Sequence, residues 1–160
     1  MYKIFKTATS FFIIFLLFAQ CGDDNSSTGP DYSNVPEPFP RTGEKVEQDN
    51  GLVYYIIEEG EGQFSVAPED AISARYTGRT LDGEIFDSSY RGESTAPARF
   101  SLRGVIRGYR EGLIGMKPGG KRKIIIPPEL AYGDALEGQQ GYEFRNDTLV
   151  FDVELVSIDN

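Results

Sequence analysis

The sequence predicts an α+β domain, one short helix packed on an antiparallel sheet, and three observations carry that expectation. TLVFDVELVSI, residues 148–158, alternates without a break: Leu149, Phe151, Val153 and Leu155 fall on one face, Asp152 and Glu154 on the other. This is the period-two pattern of a strand with one buried face. Eighteen glycines and nine prolines in 160 residues point to many turns and argue against an all-helical chain. VIRGYREGLIGM, residues 105–116, spaces Tyr109, Leu113 and Met116 at i, i+4 and i+7, in spite of Gly108 and Gly112. That single apolar stripe needs a sheet to bury it.

The elements follow in order. GLVYYII, residues 51–57, is β-branched and aromatic, and EEGEGQ closes it with two glycines, so a strand and a turn are expected. In AISARYTG, residues 71–78, Ile72, Ala74 and Tyr76 alternate with Ser73, Arg75 and Thr77, which directs Tyr76 toward the core or toward something the core contains. LDGE turns the chain back, since Asp-Gly tolerates the positive φ of a tight hairpin. That turn does not require the Phe86-Asp87 pair that follows it, an aromatic ring directly against a carboxylate. RKIIIPP, residues 122–128, reads as a strand ended by proline.

Composition narrows the chemistry. The chain has no histidine and one cysteine, which excludes histidine-dependent triads, His-Cys metal sites and CxxC redox centres. No metal or cofactor is expected. P-loop, GxGxxG and HExxH patterns are absent, and of the carboxylates only Asp87 sits in an apolar context, so a two-carboxylate hydrolase is unsupported. The formal charge is −9, or −11 once Lys3 and Lys6 leave with a leader. A phosphate backbone would be repelled, and nucleic acid is excluded as a partner.

Residues 1–20 read as a signal peptide: MYKIFK is a basic start and FFIIFLLFA, residues 11–19, an apolar run, short of the roughly 20 residues that span a bilayer. FAQC, residues 18–21, resembles the lipobox of bacterial lipoproteins, with Gln20 departing from the usual small residue. The resemblance implies a lipid on Cys21, which then becomes the mature N-terminus. Residues 21–50 carry prolines at 30, 36, 38 and 40 with no period, and are expected to be a flexible acidic tether. The domain itself is expected over residues 51–160. The location implied is the bacterial cell envelope, lipid-anchored to the outer membrane.

Several linked stretches are more specific. RYTG (75–78), LDGEIFDSS (81–89), VIRGY.EGL (105–113), MKPGGKRKIIIPPELAYG (116–133) and TLVFDVEL (148–155) occur in that order. Together they resemble the FKBP-type peptidyl-prolyl isomerases across residues 51–160. The resemblance implies a strongly twisted antiparallel sheet wrapped around one short helix, with a proline side chain bound in the hollow between them. Tyr76, Phe86, Asp87, Val105, Ile106, Tyr109, Tyr132 and Phe151 match the family's pocket positions. Phe86, Asp87 and Tyr132 would carry the catalytic effect, with the Ile106 N–H and the Tyr132 hydroxyl bonding substrate carbonyls, and Asp87 tied to the Tyr76 hydroxyl with Arg91 as counter-ion. Proline-containing polypeptides are the implied substrates, macrolides candidate inhibitors, and a monomer the expected state. A proline-binding chaperone or adaptor with little turnover is the alternative.

Three departures from the family pattern stand out. Tyr109 replaces a tryptophan common at the pocket floor. Ala98, in PARF, stands where a bulky aromatic wall is frequent, which predicts an open side. The loop 134–147 lacks the usual Ile-Pro-Pro run, and Tyr142 or Phe144 is expected to restore apolar contact there.

Overall fold

A computed structural model describes residues 29–159; the leader and Cys21 lie outside the described residues. Seven strands, β1 (Glu44–Glu47), β2 (Val53–Glu58), β3 (Ala71–Thr80), β4 (Ile85–Ser88), β5 (Ala98–Ser101), β6 (Lys121–Ile126) and β7 (Leu149–Asp159), form one sheet around α1 (Arg107–Leu113). All pairings are antiparallel, in the order β1-β2-β6-β7-β3. The far edge of β3 is shared: β5 pairs with residues 71–74 and β4 with residues 77–79. The expected α+β architecture is the one observed.

The inner face holds the core. Ile72, Ala74, Ile124, Ile126, Leu149, Val153 and Leu155 are fully buried, and α1 sets Tyr109 and Leu113 against them. The two helix glycines, poor helix formers by propensity, make this contact possible. A Cβ on Gly108 would stand 2.3 Å from Ile126 Cγ2, and one on Gly112 2.6 Å from Ile124 Cγ2. The helix therefore lies closer to β6 than any side chain at these positions permits.

The helix is shorter than its apolar stripe suggested. It ends at Leu113, the backbone turns extended at Ile114 (ψ 134°), and Gly115 adopts φ +80°. Met116 is buried as expected, but from the turn beyond the helix, where its C=O accepts from the Val66 N–H at 2.8 Å. Arg122, buried on β6, donates Nη1 to the C=O groups of Gly112 and Ile114 at 2.7 and 3.0 Å and lies over the Tyr54 ring. It thereby satisfies carbonyls that a helix end leaves free.

The outer face departs from the simple alternation. Asp152, expected on a solvated face, is only 6% exposed. Its neighbours explain why: Arg79 Nη1 donates to Oδ2 at 2.7 Å, and Lys123 Nζ lies 2.6 Å from Oδ1 without the alignment of a hydrogen bond. The cover comes from residues the sequence reads as tether. Arg79 Nη2 donates to the Pro36 C=O at 3.1 Å, and Pro36 and Phe39 line a groove with Arg79, Tyr90 and Asp152. β1 adds Glu44–Glu47 to the sheet edge against β2. Residues 31–47 thus lie along the domain, which begins well before residue 51. Half-buried Tyr32, Val35 and Phe39 supply the apolar contact that a proline-rich composition concealed.

Candidate active site

The Phe86-Asp87 pair has a backbone explanation. Along an ordinary strand, neighbouring side chains point to opposite faces. Between β3 and β4 the register shifts: Gly78 faces Asp87 but Arg79 faces Ile85, so Phe86 is an extra residue, a β-bulge. A bulge re-aims its side chain, and here it lets Phe86 and Asp87 line the same hollow.

The two serines that follow fasten this strand to β3. Ser88 Oγ donates to the Tyr76 C=O at 3.0 Å, and the Tyr76 N–H donates to Ser89 Oγ at 2.9 Å. With the backbone fixed, the Tyr76 hydroxyl donates to Asp87 Oδ2 at 2.7 Å. The other carboxylate oxygen accepts from the Ser88 N–H at 2.9 Å and from Arg91 Nη2. Asp87 is therefore an acceptor on both oxygens and held in one orientation.

All eight residues expected from the sequence line this one hollow of about 250 Å³: Tyr76, Phe86, Asp87, Val105, Ile106, Tyr109, Tyr132 and Phe151. Its walls are rings in edge or tilted contact. Phe151 stands 4.9 Å from Tyr109 and 5.6 Å from Phe86, and Tyr76 lies 6.2 Å from Tyr109, arrangements that suit the ring quadrupoles. Ile106 is the residue before α1, with extended ψ of 147°, so its N–H stands outside the intrahelical ladder and is free to donate elsewhere.

The tyrosines are held neutral. Burial, and then the hydrogen bond to Asp87, push the Tyr76 hydroxyl well above the ordinary tyrosine range. Burial raises Tyr132 too, helped by the Asp87 charge, and raises Tyr109 well above the ordinary tyrosine range. At neutral pH each is an O–H donor. Tyr109 is 4% exposed, and among the described residues its hydroxyl has no hydrogen-bond partner.

The open side expected at Ala98 is differently built. Ala98 sits on β5 opposite Ala74, outside the hollow's lining. Phe100, two residues on and so on the same face, supplies the aromatic wall at 6.0 Å from Tyr76 and 5.7 Å from Tyr109. On the other side Phe144 tilts over Phe86 at 4.9 Å and approaches Tyr132 at 6.4 Å. Tyr142 instead lies under the Arg145 guanidinium. Gly104 and Gln140 also line the hollow. Neither has a sequence signal, whereas Phe100 is legible as the second inward position of PARF.

Comparison with known proteins agrees with this geometry. A family model described as FKBP-type peptidyl-prolyl cis-trans isomerase matches residues 62–156. The chain is 45% identical over 138 residues to the FKBP-type peptidyl-prolyl cis-trans isomerase FkpA of Escherichia coli K12, covering 84% of this chain and 47% of FkpA. It is 44% identical over 110 residues to the peptidyl-prolyl cis-trans isomerase Mip of Coxiella burnetii, covering 68% and 45%. The chain thus spans about half the length of these curated relatives. A crystal structure of a peptidyl-prolyl cis-trans isomerase from Pseudomonas syringae pv. tomato superposes with a TM-score of 0.60 at 30% identity, covering 72% of this chain and 81% of that one. The matched region contains the bulged Phe86-Asp87 pair, the ring-walled hollow and the helix beneath it, and on these grounds the chain belongs to the FKBP-type peptidyl-prolyl cis-trans isomerase family.

Proposed function

We propose that the chain catalyses cis–trans isomerisation of X–Pro peptide bonds in exported polypeptides while anchored to the cell envelope through lipid on Cys21. One observation carries the catalytic part: a hollow with walls of aromatic rings and a fixed carboxylate at its rim. Rotation about the peptide C–N bond faces a barrier of about 18–20 kcal/mol because resonance resists twisting. Each tenfold acceleration requires about 1.4 kcal/mol of stabilisation given to the twisted state alone.

An apolar hollow favours the twisted amide, whose carbonyl is less charge-separated than the planar form. Phe86, Tyr109 and Phe151 present that surface, Phe100 extends it, and Val105 and Ile106 close the helix side. The Ile106 N–H and the Tyr132 hydroxyl hold the flanking carbonyls in place. Asp87, pinned by Tyr76 and Arg91, orients the substrate at the rim. No proton moves and no covalent bond forms or breaks. Macrolide ligands would compete for the same surface.

The leader, the lipobox-like FAQC and the absence of a second cysteine support export and anchoring. Two measurements test the reading. Isomerisation of X-Pro peptides by the chain without its leader should exceed the spontaneous rate, and Asp87→Leu should reduce kcat/KM at least tenfold with little change in melting temperature. A spontaneous rate in the presence of the wild type would leave a proline-binding module instead. Cys21→Ser should release the protein from membranes; unchanged attachment, with no acyl chain found by mass spectrometry of the wild type, would defeat the anchor.

A further inference from the structure

Residues 31–36 touch the polypeptide on both sides of Asp87. The Gly92 N–H donates to the Asp31 C=O at 2.8 Å, and Asn34 Nδ2 donates to the Gly92 C=O at 2.8 Å, so both backbone groups of Gly92 end on this segment. Gly92 directly follows Arg91, whose guanidinium reaches the Asp87 carboxylate and whose Nε donates to the Ser88 C=O at 3.1 Å. On the other side, the Tyr32 hydroxyl donates to the Phe86 C=O at 3.3 Å, a long bond to the residue that precedes Asp87. Pro36 adds a third attachment through Arg79, next to the Gly78 that faces Asp87 across the strands.

Arg91 alone would be a weak brace. Its side chain is 57% exposed, and surface ion pairs of this kind contribute little because a long side chain must be ordered to form them. What can fix it is the backbone that carries it. Gly92 would otherwise sit in a turn open to solvent.

We propose that Asp31, Tyr32 and Asn34 are positioning residues for the isomerase site: Asp31 and Asn34 hold the Arg91-Gly92 backbone, and through Arg91 the Asp87 carboxylate, while Tyr32 holds the Phe86 backbone on the other side of Asp87. The segment is then a working part of the site and not a spacer. This rests on the isomerase reading above, and it goes further by assigning a catalytic consequence to residues outside the family-matched region, which starts at residue 62.

The test uses the chain without its leader, carrying Tyr32→Phe and Asn34→Ala together. Misplacement of a group that orients substrate lowers turnover, and kcat/KM should fall about three- to tenfold with the protein still fully folded at the assay temperature. In an Arg91→Ala background Asn34→Ala should add nothing, the non-additivity of groups acting through one another. Backbone amide relaxation should show loss of order in residues 87–92. Activity of the double variant within 1.5-fold of wild type, or an Asn34→Ala loss that adds to that of Arg91→Ala, would overturn the proposal. A wild type without activity would instead defeat the isomerase reading, and the relaxation data would still decide the brace: unchanged order in residues 87–92 removes it.

Discussion

Gly78→Ala separates a fixed ring-walled hollow from one whose walls move freely. An ideal Cβ at this position would stand 2.7 Å from Phe86 Cζ and 2.8 Å from Phe151 Cε1. Carbon–carbon contacts settle near 3.5–4.0 Å, so each ring would have to retreat by about 1 Å. Both are held by neighbouring rings: Phe86 lies in tilted contact with Phe144 and Phe151 in edge contact with Tyr109, each pair at 4.9 Å. Overpacking of this kind costs about 1–3 kcal/mol. Removing a glycine from a strand returns about 0.5–1 kcal/mol through the unfolded chain. The steric term wins, and a net destabilisation of about 0.5–2 kcal/mol is expected, a melting temperature lower by several degrees. Activity should fall further than stability, because a 1 Å displacement of a substrate-positioning surface can lower turnover by about 10²-fold. Peptide isomerisation at 10 °C, where the uncatalysed reaction takes minutes, together with a thermal melt, reads both quantities. An unchanged melting temperature with kcat/KM within twofold of wild type would refute the reasoning, since the rings would then be free to shift without consequence.

Tyr109→Phe removes a buried hydroxyl that lacks a protein partner among the described residues, and should stabilise the domain by about 1 kcal/mol in urea titration; a loss of that size would show the hydroxyl to be bonded. Asp152→Asn leaves Arg79 and Lys123 buried without their carboxylate, and should cost about 3–5 kcal/mol. A loss under 1 kcal/mol would mean that the two cations find solvent. Ala98→Phe places a ring outside the present lining, where Phe100 already supplies the aromatic wall, and should leave kcat/KM within about twofold of wild type both on peptides with a large apolar residue before proline and on Glu-Pro peptides. Lower activity on both peptide classes in a folded variant would mean that the ring obstructs the mouth.

What was legible in the sequence was whatever repeats or occurs as a linked set. Alternation in residues 148–158 placed Leu149, Phe151, Val153 and Leu155 in the core, and the ordered motifs brought eight side chains to one hollow. What escaped depends on partners distant along the chain. Asp152 is polar by pattern, and only Arg79, Lys123 and Pro36 make its burial tolerable. The bulge at Phe86 is a property of pairing with β3, so no inspection of β4 alone could show both Phe86 and Asp87 facing one way. The proline-rich segment lacks any period, and its docking rests on scattered single contacts by Tyr32, Asn34 and Pro36. The helix stopped early because Ile114 and Gly115 take non-helical backbone angles, while the apolar spacing ran on to Met116.

The position of β7 has a consequence for how the molecule comes into being. It lies between β6 and β3, pairing Phe151 with Ile124 on one side and with Gly78 on the other. Joining residue 78 to residue 151 closes a loop of about seventy residues, which costs on the order of 4 kcal/mol of chain entropy before any contact repays it. Contacts this distant in sequence make for folding in milliseconds to seconds. A polypeptide delivered amino-terminus first therefore has no sheet centre until residues 149–159 are free, and until then β3 and β6 present unpaired edges open to aggregation. Phe151 reaches the hollow on the same strand that closes the sheet, so maturation of the site and completion of the fold are one event.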